Sequence, residues 1–493
     1  MALSSLEPIV NLAKRRGFIY PSAEVYGGTG GVYDLGPLGV ELANNIKQAW
    51  WQRFVRERDD MVGLDAAILT PASVLKASGH VDSFSDPLIE CSECHIRLRA
   101  DHYLEEDKKA TWLLRFAEES ARQAKRDLTK ADHKAAEEAA QKVFDGEVLR
   151  SSLVPADLCC PNCKKYGTYG EPRQFNMMFQ TQLGAVEGEG STVYLRPETA
   201  QGIFVNFKQV LATVRQKLPF GIAQIGKAFR NEITVGNSLF RVREFEQMEI
   251  EYFVRPGEDE VIHQNWIDDV EAFLTKDMGI TAENLRQYEH PKEKLSHYSK
   301  RTIDFEYLYP GLGFAELYGV ANRTDYDLKQ HQEFSAQDMS YFDEETREKI
   351  IPYVIEPSVG VGRLILAVLT DAYKEYPQGR DGQSTELETV LHIAPKLAPV
   401  TVAVLPLMKK DGLAEKAREI HAELRKGVAS QYDEGGAIGR RYRRQDEIGT
   451  PWCVTVDYQT LEDGTVTLRN RDSMQQERMQ ASALAQYIYQ QLH

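Results

Sequence analysis

Cysteine is scarce, six residues in a chain of 493. That is too sparse for a disulfide scaffold and points to a reducing, cytoplasmic setting. No run of about 18 apolar residues occurs, so no membrane partner is expected. The first residues, MALSSLEPIVNLAKRRGF, put their positive charges after a short apolar stretch and include Glu7. That is the wrong order for a secretory signal. No tandem repeat is visible at a period of about 20–50 residues. Positive charge is also in short supply, with 59 Lys and Arg against 74 Asp and Glu, a net −15. Such a balance excludes a bulk nucleic-acid coater but leaves room for local basic patches.

What is present has the composition of a globular enzyme, and at roughly 100–200 residues per domain the length allows about three domains. Residues 1–90 read as mixed α/β. The turn Tyr33-Asp34-Leu35-Gly36-Pro37-Leu38-Gly39 leads into a helix predicted from Val40 to Val55, with apolar Val40, Ala43, Ile46, Ala49, Trp50 and Phe54. Residues 91–164 open and close on Cys pairs, and the charge-rich, proline-free stretch 105–150 between them reads as an inserted solvated helix or helix pair. Residues 165–385 return to mixed strands and helices. A Gly- and Pro-bearing connector spans 376–395, and 396–493 form a compact α/β unit. In that unit a strand is predicted from Val400 to Leu405, a helix from Leu413 to Leu424, a strand from Trp452 to Val456 and a last helix from Met474 to Leu492.

Residues 222–254 read as two strands joined by a polar loop. Period 2 on the second puts Met248, Ile250, Tyr252 and Val254 on one apolar face, and Phe245, Gln247, Glu249 and Glu251 on the other. Arg230 and Glu232 share a face of the first. A charged face of this kind is either a solvated outer surface or a ligand surface. In residues 353–369, YVIEPSVGVGRLILAVL, an apolar strand meets a Gly-x-Gly-Arg turn and an apolar helix. The turn lacks the Lys-Ser/Thr of a P-loop and the third glycine of a dinucleotide fingerprint.

Together these segments resemble the class II aminoacyl-tRNA synthetases. Phe229-Arg230-Asn231-Glu232 with Arg241 and Arg243-Glu244-Phe245 is similar to motif 2, Gly360-Val361-Gly362-Arg363 to motif 3, and Gly36-Pro37-Leu38-Gly39 to motif 1, in the family's order. Arg196-Pro197-Glu198-Thr199-Ala200-Gln201-Gly202, the run Ala321 to Leu328, Glu356-Pro357-Ser358-Val359-Gly360 and the run Gly439 to Pro451 resemble the homodimeric glycyl-tRNA synthetases. The resemblance covers essentially the whole chain. It implies an α+β fold: an antiparallel-sheet catalytic core, an inserted zinc-helical segment and a C-terminal α/β anticodon-binding domain.

The resemblance further implies that glycine is joined to tRNA(Gly) through a glycyl-adenylate, with ATP and Mg²⁺. Both reacting groups are anionic, so preorganised cations suit the transition state. By analogy Arg230 holds the α-phosphate and the substrate carboxylate, and Arg241 reaches the γ-phosphate. Phe245 and Arg363 sandwich the adenine. Glu232, Glu316 and Leu317 contact the nucleotide or its metal, and Arg323 is a further contact. Asn231, Phe240, Gly360 and Gly362 complete the implied ATP site. Glycine needs a small pocket rich in acceptors for its ammonium: Glu198, Glu249, Glu356 and Ser358, with Gln247 and Phe245 beside them. A carboxylate in the space of a Cβ rejects alanine by clash, where one lost methylene contact is worth only about 1–3 kcal/mol. Arg99 resembles a substrate-contacting arginine of the family, the alternative being a surface arginine beside the insertion.

Cys91-x-x-Cys94 and Cys160-x-x-Cys163 have the form of two knuckles around one structural Zn²⁺. The long gap between the pairs leaves four reduced thiols as the alternative. The run Arg440, Arg441, Tyr442, Arg443, Arg444 is a basic cluster that reads as a solvated face or an RNA contact. Trp50, Trp51 and Phe54 give the predicted helix more aromatic surface than one core stripe needs, so a homodimer is expected. A non-catalytic synthetase-like binding subunit would have lost Arg230, Arg241 or Arg363. An enzyme for threonine, serine or proline is disfavoured by Glu198, Glu249 and Glu356.

Overall fold

The computed structural model describes residues 3–99, 117–118, 121–122, 127–135, 138, 160–165, 167–170, 173–184, 191–236, 238–296, 298–380, 382 and 386–492. The chain begins with α1 (Glu7–Arg16) and α2 (Pro37–Trp51). A seven-stranded sheet follows, built from β1 (Met61–Gly63), β2 (Phe220–Phe229), β3 (Glu244–Val254), β4 (Leu285–Glu289), β5 (Arg301–Tyr309), β6 (Gly313–Thr324) and β7 (Tyr353–Gly360). Its order is β4-β5-β6-β7-β3-β2-β1, antiparallel throughout except for the parallel edge pair β1 and β2. Helices α3 (Ala200–Val214), α4 (Tyr326–Ser335) and α5 (Val361–Ala372) pack around it.

α2 starts three residues earlier than the periodicity predicts, because Pro37 occupies its first turn, where a missing N–H costs nothing. Gly36 and Gly39 are forced by close approach. A Cβ on Gly39 would stand 1.8 Å from the Phe18 carbonyl oxygen, and one on Gly36 2.4 Å from that of Gly17. Trp50 and Phe54 are not exposed, which corrects the reasoning behind the expected dimer surface. Both are buried in the main core, and the Trp50 indole N–H donates to the Tyr318 hydroxyl at 3.0 Å.

Both faces of the sheet are covered. Met248, Ile250, Tyr252 and Val254 join the main core with the apolar helix α5. On the other face Phe253 packs with Phe204 and Phe207 of α3 and with Phe220. Glu249 and Glu251 on that face are 1% and 0% exposed, so the solvated-surface reading fails. β2 ends at Phe229, placing Arg230 and Glu232 just beyond the strand.

The strands Ser85–Glu90, Arg97–Arg99 and Arg173–Asn176 form a small antiparallel sheet that joins the two ends of the insertion. Most of the predicted helical stretch 105–150 lies outside the described residues. The connector is more ordered than its composition suggests: Tyr373–Tyr376 pairs antiparallel with Glu388–Leu391.

The C-terminal unit contains β8 (Val402–Pro406), α6 (Leu413–Leu424), β9 (Ser430–Tyr432), α7 (Ile438–Glu447), β10 (Trp452–Val456), β11 (Thr465–Asn470), β12 (Gln476–Gln480) and α8 (Leu484–Leu492). Its sheet runs β9-β8-β10-β11-β12. The predicted helix from Met474 is in fact an edge strand followed by a shorter helix, since pairing with β11 takes Gln476–Gln480 into the ladder. Of the basic cluster on α7 only Arg441 is internal. Arg441 is buried and donates to the carbonyls of Pro406 and Leu407, Arg444 pairs with Asp433 at 2.6 Å, and Arg443 pairs with Glu386. Arg440 is exposed, and Arg443 and Arg444 are partly so. The unit is docked on the core: Arg16 pairs with Glu447, and Arg471 donates to the Ile393 carbonyl at 2.9 Å.

Candidate active site

One cavity of about 270 Å³ opens on the face of the sheet that carries Gln247 and Glu249. β3, β6 and β7 supply its floor, and the turn into α5 supplies one wall. Strand alternation aims Phe245, Gln247 and Glu249 into it from β3. Ser358 enters from β7, where it is paired with Glu249 across the ladder. The two glycines of the turn leave room. A Cβ on Gly360 would meet only the Arg363 side chain, at 4.0 Å.

The cavity has two chemically different ends. One is cationic and aromatic. Arg230, just past β2, donates from Nε to the Pro197 carbonyl at 3.0 Å. Its guanidinium lies 5.4 Å from the Phe245 ring centroid and 5.6 Å from that of Phe84. Arg363, in the first turn of α5, lies 4.7 Å over the Phe240 ring and pairs with Glu316 at 3.1 Å. The Arg363 charge holds the Glu316 carboxyl below its ordinary range. Glu232 and Arg241 line the same end.

The other end is acidic and deeply buried. The Ser358 hydroxyl donates to Glu249 Oε1 at 2.8 Å, and Thr199 donates to Oε2. Gln201 donates to Glu198 at 3.0 Å, and the His80 ring lies 3.4 Å from the same carboxyl. Arg323 holds Asp327 with two bonds of 2.8 and 2.9 Å and Glu356 with one of 2.9 Å. Its guanidinium stacks 3.9 Å over Tyr298. Burial would raise Glu198, but His80 and Arg323 outweigh it and hold this carboxyl low. Burial pushes Glu249 up, and the charge of Glu198 adds to that. Burial likewise pushes Glu356 up to about 8, against the pull of Arg323. The arrangement is a set of preorganised acceptors with one fixed cation among them, a site short of positive charge.

The lining therefore brings together Glu198, Arg230, Glu232, Phe240, Arg241, Phe245, Gln247, Glu249, Glu316, Leu317, Glu356, Ser358, Gly360, Gly362 and Arg363. Leu317 is also part of the main core. Asn231 stands outside the lining, its N–H on the Met177 carbonyl at 2.7 Å. So does Arg99, which pairs with Asp86 at 2.8 Å. Sequence reasoning missed Asp327 and His80. The Arg323 and Asp327 spacing of i and i+4 was a legible signal; nothing local marked His80.

The four knuckle cysteines converge. Their sulfurs lie within 4.8 Å of one another, with Cys91 to Cys163 at 3.8 Å and Cys94 to Cys160 at 3.6 Å. The two knuckles fold alike. In each, the N–H four residues on, from His95 or Lys164, returns to the first cysteine's carbonyl at 2.9 Å, and that residue has positive φ.

Three comparisons agree with this geometry. Residues 184–372 match the tRNA synthetase class II core domain family (G, H, P, S and T), and residues 401–491 match the anticodon binding domain family. A prolyl-tRNA synthetase structure from Giardia lamblia, in complex with prolyl-adenylate, shares the fold with a TM-score of 0.61 at 15% identity. It covers 100% of this chain and 80% of that one. Fold and cavity define a class II aminoacyl-tRNA synthetase. Over 490 residues the chain is 51% identical to the glycine--tRNA ligase of Thermobifida fusca, covering 99% of this chain and 98% of that protein. It is 49% identical to that of Cutibacterium acnes over 98% of this chain and 96% of the relative, and 50% identical to that of Streptomyces coelicolor over 99% and 98%. The chain belongs to the glycine--tRNA ligase family.

Proposed function

We propose that the chain activates glycine with ATP and transfers it to tRNA(Gly), with the substrate stretched between the two ends of the cavity. The observation that carries this is the buried acceptor set Glu198, Glu249, Glu356 and Ser358 facing Arg230 across about 270 Å³. A glycine ammonium supplies the cation the acidic end lacks. Its carboxylate oxygen then attacks the α-phosphorus of ATP, and the bond to pyrophosphate breaks. A ribose hydroxyl of the tRNA terminus next attacks the acyl carbon, and AMP leaves.

Arg230 balances the charge that builds on the α-phosphate, already oriented by Pro197. Arg241 serves the γ-phosphate, and Phe245 and Arg363 offer faces to the adenine. Glu232 and Glu316 are the carboxylates that would hold Mg²⁺, which neutralises phosphate charge when bound. The four thiols fit one structural Zn²⁺, since tetrahedral Zn–S bonds of about 2.3 Å put sulfurs about 3.8 Å apart. Residues 1–90 and 165–385 form the catalytic core in this reading, and 396–493 read the anticodon. The outer side of α2, with exposed Val40 and half-buried Trp51, supports a homodimer contact. Sparse cysteines, with no disulfide among the described ones, suit a cytoplasmic location. Among the described residues no helix is long and apolar enough to cross a membrane.

The test is pyrophosphate exchange with each of the twenty amino acids. Glycine alone is expected to support it, and exchange with threonine, serine or proline would sink the assignment.

A further inference from the structure

Glu251 sits directly behind the acidic end of the cavity and is absent from its lining. It is 0% exposed, and neither carboxyl oxygen has a hydrogen-bond partner. Its carboxyl lies within 4.8 Å of those of Glu249 and Glu356. The backbone explains the crowding. The β3–β7 ladder pairs Glu249 with Ser358 and Tyr252 with Ile355. Ile250 therefore stands opposite Pro357 and Glu251 opposite Glu356, which puts the two carboxylates side by side on one face.

Every donor nearby except the Gln224 amide is already engaged. Arg323 is taken by Asp327 and Glu356, Thr199 and Ser358 by Glu249. Gln201 bridges Glu198 and Asp327 and accepts from His331 at 2.9 Å. Gln224, opposite Glu249 on β2, is equally buried, and its amide reaches no acceptor. The charged groups acting on Glu251 are Arg323 from β6, Glu356 from β7, Asp327 from α4 and Glu249 from its own strand, three of them acidic. His80, His331 and Glu198 are the next titratable groups around the cluster. A bare carboxylate without a donor is not stable in such a place, whereas a carboxylic acid is. Burial and the charge of Glu356 push the same way.

We propose that Glu251 is a proton-carrying positioning residue of the amino-acid site, and that binding of the glycine ammonium drives its proton out to solvent. In the free protein the neutral acid separates Glu249 from Glu356 without adding repulsion. When the ammonium arrives, the added cation favours Glu–COO⁻, and the O–H proton passes to buffer while the ammonium stays charged. Glycine affinity then rises with pH, because the bound state holds fewer protons. This inference rests on the glycine pocket proposed above.

The test is calorimetric titration of the full chain with glycine in two buffers of different ionisation enthalpy, beside exchange kinetics from about pH 6 to about pH 9. The wild type is expected to release a fraction of a proton per glycine bound. Glu251→Gln keeps a neutral donor of the same shape and is expected to release clearly less, only what Glu249 and Glu356 contribute, with a flatter pH dependence of the glycine KM. Glu251→Leu removes the donor and is expected to raise the glycine KM about tenfold, leaving the ATP KM unchanged. Equal proton release in wild type and Glu251→Gln overturns the proposal even if the leucine variant does not fold. Glu249→Gln separates the two readings. If it also leaves glycine binding unaltered, the pocket is misplaced and both fall; if it weakens binding while Glu251→Gln matches wild type throughout, only the role of Glu251 falls.

Discussion

Arg363 lies across the ring of Phe240 at 4.7 Å, while Phe245 is faced by Arg230 at 5.4 Å. The two rings expected to serve the nucleotide are thus each matched with their own guanidinium. An adenine entering between Phe245 and Arg363 exchanges a cation–aromatic contact for a stack, and Glu316 keeps Arg363 anchored during that exchange. Arg363→Ala is expected to raise the ATP KM about tenfold or more and to leave the glycine KM nearly constant. Exchange kinetics with each substrate varied in turn read the two constants. An effect on glycine alone would place the nucleotide elsewhere.

In the proposed reading Arg230 carries the heavier catalytic load. Arg230→Ala removes a charged donor from the reacting phosphate, and adenylate formation is expected to fall by about 10²–10³ or more. The fold is expected to survive, because the side chain faces the cavity. Near-normal exchange in a folded variant would falsify the motif 2 assignment.

The converged thiols predict metal. Freshly purified protein is expected to contain about one Zn²⁺ per chain, and Cys94→Ser to lose it. Elemental analysis decides this. Zinc-free protein prepared without chelator would leave four reduced thiols as the correct reading.

Asp446 ties the connector to the C-terminal unit. Buried, it takes two bonds of 3.0 and 3.1 Å from Arg469 and a further pair with Arg380. Arg380 keeps Glu388 if Asp446 is lost, but Arg469 would keep only its 4.8 Å contact with Tyr442. Asp446→Ala is expected to cost about 3–5 kcal/mol, the usual consequence of stranding a buried charge. Denaturant unfolding followed by tryptophan fluorescence, with Trp452 as the local reporter, measures it. A loss within about 0.5 kcal/mol, the surface-mutation range, would mean that solvent reaches Arg469.

Among the described residues the cavity is lined only by those between Glu198 and Arg363, so removing 396–493 is expected to spare glycine activation and abolish transfer to tRNA. The cut also uncovers Ile393, whose carbonyl loses Arg471, so folding of the truncated chain must be shown first. Equal losses in exchange and aminoacylation would mean that the docked unit helps hold the active site.

Much of this was written locally. The alternation of residues 245–254 separated the core face from the cavity face, because strand side chains alternate whatever surrounds them. The Gly-x-Gly-Arg turn, the proline at the start of α2 and the knuckle spacings are likewise properties of a few consecutive residues. Other expectations failed where a distant partner decides. Gln476–Gln480 is a strand because β11 is beside it, and Arg441 alone of the α7 arginines is internal because the Pro406 and Leu407 carbonyls meet it there.

The sequence by itself determined the order of the motifs, the two faces of β3 and the pairing of small turns with long helices, since backbone geometry alone sets those periods. Only the tertiary structure decided that Trp50 and Phe54 belong to the core and not to a surface. It alone decided that Arg363 meets Phe240, and that Glu251 is left without a donor beside Glu249 and Glu356. Burial and charge are summed over everything within a few ångströms, and that sum joins residues as far apart in the chain as Glu251 and Glu356.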